Sequence, residues 1–197
     1  MKILKLSFKN INSLKGTFQI DFEEPPLGGS GLFIITGPTG SGKTSVLDAI
    51  CAALYGKTPR LPNKKELEQL MTHQTGECHS EVLFSVNGKR YRSRYERFRA
   101  RKNPNGKFQP PKMELADDET GKILADKLST TPLAVAAITG LDYARFSRSI
   151  MLAQGDFRAF LEASEDERAS LLEKMTGTEI YTDISKLVFD REKAERE

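Results

Sequence analysis

Leu32-Phe33-Ile34-Ile35-Thr36-Gly37-Pro38-Thr39-Gly40-Ser41-Gly42-Lys43-Thr44 decides the fold. A short apolar run reads as a strand, the pattern G-x-x-x-x-G-K-[ST] leaves it, and Lys43–Tyr55 reads as a helix. Gly37, Gly40 and Gly42 let successive backbone N–H groups turn inward toward phosphate oxygens. The helix start adds unpaired amides and the positive end of its dipole. Pro38, Thr39, Ser41 and Ser45 complete the cradle. Lys43 can reach the outer phosphates of a nucleotide, and Thr44 can offer its hydroxyl to Mg²⁺. Within the helix, Val46, Leu47, Ile50, Cys51 and Leu54 recur at three- and four-residue spacing, an apolar face to lay on a sheet. Gly56 is placed as its C-terminal cap, and Pro59 and Pro62 stop helix from continuing. Cys51, on the apolar face, reads as a small buried hydrophobe.

Bulk properties narrow the class. The 197 residues suffice for one domain with a full core. No apolar run is long enough to cross a membrane, and MKILKLSFKN lacks the apolar stretch of a signal peptide, so the expected location is cytoplasmic. Cys51 and Cys78 are too few and too far apart for a disulfide scaffold or a zinc site. Net charge is only +3, yet it is unevenly spread. From Glu165 onward ten acidic and six basic residues give −4, which leaves +7 for the first 164 residues. Lys89–Lys107 holds nine Lys or Arg against one Glu.

Along the chain, residues 3–9 and 17–22 alternate apolar and polar and read as two strands about a polar turn at Asn10–Ser13. Asn63-Lys64-Lys65-Glu66 has capping-box spacing and predicts a short helix through Met71. Glu81–Val86 reads as a strand, and Asn87-Gly88 as a two-residue hairpin turn. The basic segment returns as the second strand, as far as Ala100. Lys112–Ala116 and Ile123–Ala125 follow as further strands, so this stretch predicts an antiparallel β arm. Thr131-Pro132 opens a helix to about Ile138. An apolar segment, residues 149–153, leads into Gln154-Gly155. Residues 156–163 and then Ser164-Glu165-Asp166-Glu167, a second capping box, begin further helices. Ile180, Ile184 and Leu187 have heptad-like spacing toward the C-terminus.

A working P-loop ATPase also needs an apolar strand ending in Asp, and often a Glu to polarise water. Leu115-Ala116-Asp117-Asp118-Glu119 comes nearest, but Thr120-Gly121 makes it a turn. Leu27-Gly28-Gly29-Ser30-Gly31 precedes the P-loop and reads as a connector. Half a site followed by an uncapped charged helix predicts an N-terminal piece of a longer chain. His73 and His79 are isolated and receive no role.

Four blocks carry a family resemblance: KILKLSFKNINSLKG, GPTGSGKTSVLDAICAALYGKTPRL, ITGLDYARFSRSIMLAQGDFRAFL and ERASLLEKMTGTEIY. They resemble the SbcC-type ATPase subunits of bacterial SbcCD nucleases, in the SMC-like branch of ABC ATPases, over essentially the whole chain. The resemblance implies an α/β P-loop ABC-type half-domain, with a mixed sheet and an antiparallel β arm, leading into a coiled-coil helix. It implies residues 1–163 as the N-terminal half of the ATPase head and 164–197 as the root of an outgoing coiled coil. Lys43 and Gln154 become the catalytic pair, with Thr44 and Gln154 toward Mg²⁺ and the cradle toward ATP. At Asn12 some relatives carry an arginine that approaches the phosphates, and the resemblance puts Asn12 with the cradle among the nucleotide-binding residues. The implied partners are the C-terminal half of the same polypeptide, a second head in an ATP-dependent homodimer, an SbcD-type nuclease subunit and double-stranded DNA ends. An SMC-type structural DNA tether without a nuclease is the alternative.

In the basic arm, Arg90, Arg92 and Arg94 fall on one face of an alternating strand, and Tyr91 and Tyr95 on the other. The bland reading is a solvated strand face. The sharper one is contact with duplex phosphates, without sequence readout.

Overall fold

The computed structural model describes residues 1–28, 34–61 and 66–149, together with 184, 185, 187–189 and 191. They divide into two units, Met1–Tyr143 and Ala144–Glu197. In the first unit, strand β1 (Lys2–Ile11) turns through Asn12 into β2 (Leu14–Asp21). Helix α1 is Lys43–Tyr55. Strands β3 (Glu77–Val86), β4 (Lys89–Phe98), β5 (Lys112–Asp117) and β6 (Ile123–Ala125) follow. Helix α2 is Thr131–Thr139. The strands form one six-stranded sheet in the order β2-β1-β3-β4-β5-β6. Every neighbouring pair in it is antiparallel. The arm expected from the basic segment is antiparallel, and β3 joins it to β1, making it continuous with the N-terminal hairpin. The α/β class stands.

Alternation dictates which side is core. Leu4, Leu6 and Phe8 of β1, Cys78, Val82 and Phe84 of β3, Tyr95 of β4 and Met113 and Leu115 of β5 are all buried. Helix α1 lies on that face with Ala49, Ala52, Ala53 and Leu54 buried against it. Its small residues allow close approach, and two strand hydroxyls use it. Ser80 Oγ donates to the Ala49 carbonyl and Ser93 Oγ to the Ala53 carbonyl, each at 2.7 Å. Because 49 and 53 are one helical turn apart, the pair pins α1 along β3 and β4.

The hairpin turn forms as its residues demand, with φ of 50° at Asn87 and 81° at Gly88. Helix α1 has the bounds read from the sequence, and the Gly56 cap donates to the Ala52 carbonyl at 2.9 Å. Three local expectations differ. Residues 34–36, expected to be strand, are irregular. Ile34 is 82% exposed, and residues 34–36 pair with no strand of the described sheet. The helix expected through Met71 is a 3₁₀ segment, Glu66–Leu70. Asn12 N–H draws the Leu70 carbonyl into a 2.7 Å bond and Met71 bridges Ile11, so the backbone there leaves helical geometry. Strand β3 starts at Glu77, four residues earlier than read, because its inward Ser80 is polar and breaks the apparent alternation.

In the second unit, residues 184, 185, 187–189 and 191 are helical, and Ile184 and Leu187 are exposed. Gln154, the apolar segment before it and the capping box at 164–167 lie outside the described residues. Among the described residues, no helix is long and apolar enough to cross a membrane.

Candidate nucleotide-binding loop

The P-loop joins residue 36 to α1. Its N-cap, Gly42, sits in the left-handed region at φ 89°, and no side chain caps the helix. Apart from the Ser45 N–H, which donates to the Gly42 carbonyl, the opening amides of α1 are therefore left to an external acceptor, and an anion fits there. Gly37 has φ 152° and Gly40 φ 85°. A Cβ on Gly37 would meet Ser41 Oγ at 2.8 Å, and one on Gly42 would meet Leu14 Cδ2 at 2.7 Å. The loop is thus folded back on itself and backed by the β1–β2 turn, as a phosphate cradle requires. Lys43 Nζ donates to the Gly37 carbonyl at 2.7 Å and the Pro38 carbonyl at 2.9 Å. That places an ammonium across the mouth of the loop. Thr44 is exposed beside it.

Asn12 reaches the same helix. Its Nδ2 donates to Asp48 Oδ2 at 2.8 Å and, more weakly, to Ser45 Oγ at 3.3 Å. Ser45 is 2% exposed and its N–H donates to the Gly42 carbonyl at 2.9 Å. The structure thus turns the Ser45 side chain toward Asn12. Asp48 is also buried, and it accepts from Arg60 Nε at 3.1 Å and from Arg60 Nη2. Neither Asp48 nor Arg60 stands out in the sequence, since an Asp among helix residues reads as solvated. Burial, helped by Asp48, pushes the Cys51 thiol up to about 12, which fits the hydrophobe reading.

The basic strand behaves as its alternation implies on both faces. Tyr95 is fully buried and Tyr91 stacks on Phe84 with centroids 5.6 Å apart. On the outer face, Arg90 pairs with Glu23 at 2.9 Å and Asp118 at 3.9 Å, and Arg94 with Glu81 at 3.1 Å and Glu96 at 3.3 Å. Arg92 lies across from Leu83 and Ala116 and has no ion pair among the described residues. One corner of this face is heavily charged as well: Glu77 accepts from Lys9 at 2.6 Å and Lys102 at 2.7 Å. The Lys102 and Lys9 bonds hold its carboxyl down at about 2.

The chain is 42% identical over 208 residues to the SbcC subunit of the SbcCD nuclease of Rhodobacter capsulatus, covering 97% of this chain and 17% of that protein. It is 41% identical over 208 residues to the corresponding SbcCD nuclease subunit of Pseudomonas aeruginosa, with the same coverage. A probable DNA double-strand break repair Rad50 ATPase of Aquifex aeolicus is 35% identical over 188 residues, covering 95% of this chain and 18% of its own length. The chain therefore spans 17% of the length of the first two relatives. The family model described as AAA domain matches residues 5–197. That match takes in the sheet, the loop and the helix that carries it, and the family is one of nucleotide-binding ATPases. The chain belongs to the AAA domain family.

Proposed function

We propose that this chain is the nucleotide-binding part of an SbcC-type ATPase subunit, acting with a partner nuclease on double-stranded DNA ends in the cytoplasm. The carrying observation is the uncapped N-terminus of α1 behind Gly42, with Lys43 held across the loop mouth. The loop amides would receive the phosphates of ATP, and Lys43 would exchange its two carbonyl partners for phosphate oxygens. The exposed Thr44 hydroxyl and, from the family resemblance, the Gln154 amide would hold Mg²⁺, which would supply charge neutralisation for the phosphates. Lys43 and Gln154 would act in hydrolysis once the rest of the polypeptide and a second head complete the site. The relatives' names, nuclease subunits and a double-strand break repair ATPase, favour this reading over an SMC-type tether. Phosphoryl chemistry on DNA would belong to an SbcD-type partner. Duplex DNA contact through Arg90, Arg92 and Arg94 remains part of the proposal, with Arg92 the most available of the three.

The test is calorimetric titration of the chain with Mg-ATP, beside Lys43→Ala. Saturable binding that the substitution removes is the expected outcome. In thermal unfolding, ligand at about one hundred times its Kd should stabilise the wild type by roughly 2.7 kcal/mol. Equal binding by wild type and Lys43→Ala would sink the assignment of the site.

A further inference from the structure

Asp48 is the one charged side chain buried on α1, and the P-loop motif does not use it. Its side chain is 4% exposed, whereas that of its partner Arg60 is 54% exposed. One oxygen, Oδ2, receives both the Arg60 guanidinium and the Asn12 amide. Three separate pieces of chain therefore meet at this atom: the β1–β2 turn, the second turn of the P-loop helix, and the segment after the helix. The turn meets the loop a second time where Leu14 backs Gly42.

Asn12 holds a φ of 51°, a left-handed conformation that asparagine enters more readily than other non-glycine residues. Its bonds to Asp48, Ser45 and the Leu70 carbonyl hold it there. In that conformation its side-chain amide reaches the first two turns of the P-loop helix. A buried ion pair is in itself a poor source of stability compared with apolar packing. What it does provide is fixed placement, and the parts it fixes are loop parts. Ser45 follows Thr44 directly, and Asp48, one helical turn beyond Thr44, holds the Arg60 side chain, which is half open to solvent.

We propose that Asp48 is a positioning residue for nucleotide binding. It holds Asn12 and Arg60 against the first two turns of α1, and so keeps the loop amides and an added positive charge where a polyphosphate is received. This rests on the P-loop reading above. Asp48 itself touches no phosphate.

The test is a double-variant cycle on the chain: Asp48→Asn, Arg60→Gln and the two together. Mg-ATP affinity is measured by calorimetry and the unfolding midpoint is measured without nucleotide. Each single change should weaken Mg-ATP by about tenfold, the loss usual for a residue that orients a ligating group. The double variant should bind no more weakly than the weaker single, because both changes break one device. The double variant also removes the orphaned charge that Arg60→Gln alone leaves buried, so it reports even where a single variant folds poorly. A purely structural pair would lower the midpoint and leave the Kd within about twofold of wild type, and that result overturns the proposal. Losses that simply add overturn it too, since they would mean two independent contributions. Wild type that fails to bind, or Lys43→Ala that binds as wild type does, would instead bring down the P-loop reading and this inference with it.

Discussion

Gly40 and Gly42 both hold left-handed backbone in the loop, at φ 85° and 89°, but their surroundings differ. A Cβ at Gly40 meets nothing within 4 Å, whereas one at Gly42 runs into Leu14 at 2.7 Å. Gly40→Ala should therefore carry backbone strain alone, about 1 kcal/mol. Gly42→Ala adds a collision with a packed side chain and should cost at least about 2 kcal/mol. Urea unfolding of the two variants checks the order, and Leu14→Ala added to Gly42→Ala should return part of the loss. Equal costs would mean that the β1–β2 turn does not brace the loop. Much of this residue scale was legible, since G-x-x-x-x-G-K-[ST] names the glycines, Lys43 and Thr44 from spacing alone. Asp48 with Arg60 was not, because their pairing spans the whole second half of α1 and the Gly56 cap. Only the fold brings a helix carboxylate and a post-helix guanidinium together.

At the scale of elements, α1 sits on the sheet through Ser80 and Ser93 as well as through apolar contact. Replacing either serine by alanine removes a buried hydroxyl donor from a helix carbonyl, which leaves no orphaned donor behind. Each should cost about 0.5–1.5 kcal/mol, and denaturant midpoints measure it. No change in either variant would show that packing alone seats the helix. These serines also explain why β3 was read too short: an inward hydroxyl looks outward to a pattern built on hydrophobicity. The β1, β2 and hairpin strands, with an apolar inner row and a demanding turn, were legible. The pairing of β3 with β1 was not, since a partner about seventy residues away leaves no trace in local alternation. A second element-level prediction concerns Glu77, which ties β1 and the β4–β5 connection to β3. Its pKa is lowered from 4.5 to about 2, so the stabilising contribution is present above 4.5 and is lost as pH falls toward 2. Glu77→Gln should flatten the acid limb of a stability–pH curve over that window. A limb of unchanged steepness would show the two lysine bonds to be without consequence.

For the molecule as a whole, one sheet carries two kinds of surface. The inner face holds the loop helix. The outer face is crossed by ion pairs, Lys5 with Asp21, Arg90 with Glu23 and Asp118, and Arg94 with Glu81 and Glu96, so much of its basic charge is already answered. Composition registered the excess of cations in Lys89–Lys107, but apart from Glu96 the acids that offset its arginines, Glu23, Glu68, Glu81 and Asp118, come from other parts of the chain. Arg92 is the cleaner probe of DNA contact for this reason. Arg92→Glu should weaken duplex binding alike for unrelated sequences and reduce the log–log salt slope by about 0.9, the value for one lost phosphate contact. An unchanged slope in an electrophoretic titration at two salt concentrations would make this face a solvated one. The alternation of a strand has a further consequence here. Ser93 points inward to the Ala53 carbonyl, while its chain neighbours Arg92 and Arg94 point outward. Ser80 and Glu81 repeat the arrangement on β3. The nucleotide loop's helix and the charged outer face therefore hang on the same two strands, separated by the thickness of a single backbone. A partner that docks on the outside of β4 thus meets the strand whose next inward side chain, Ser93, bonds α1 directly.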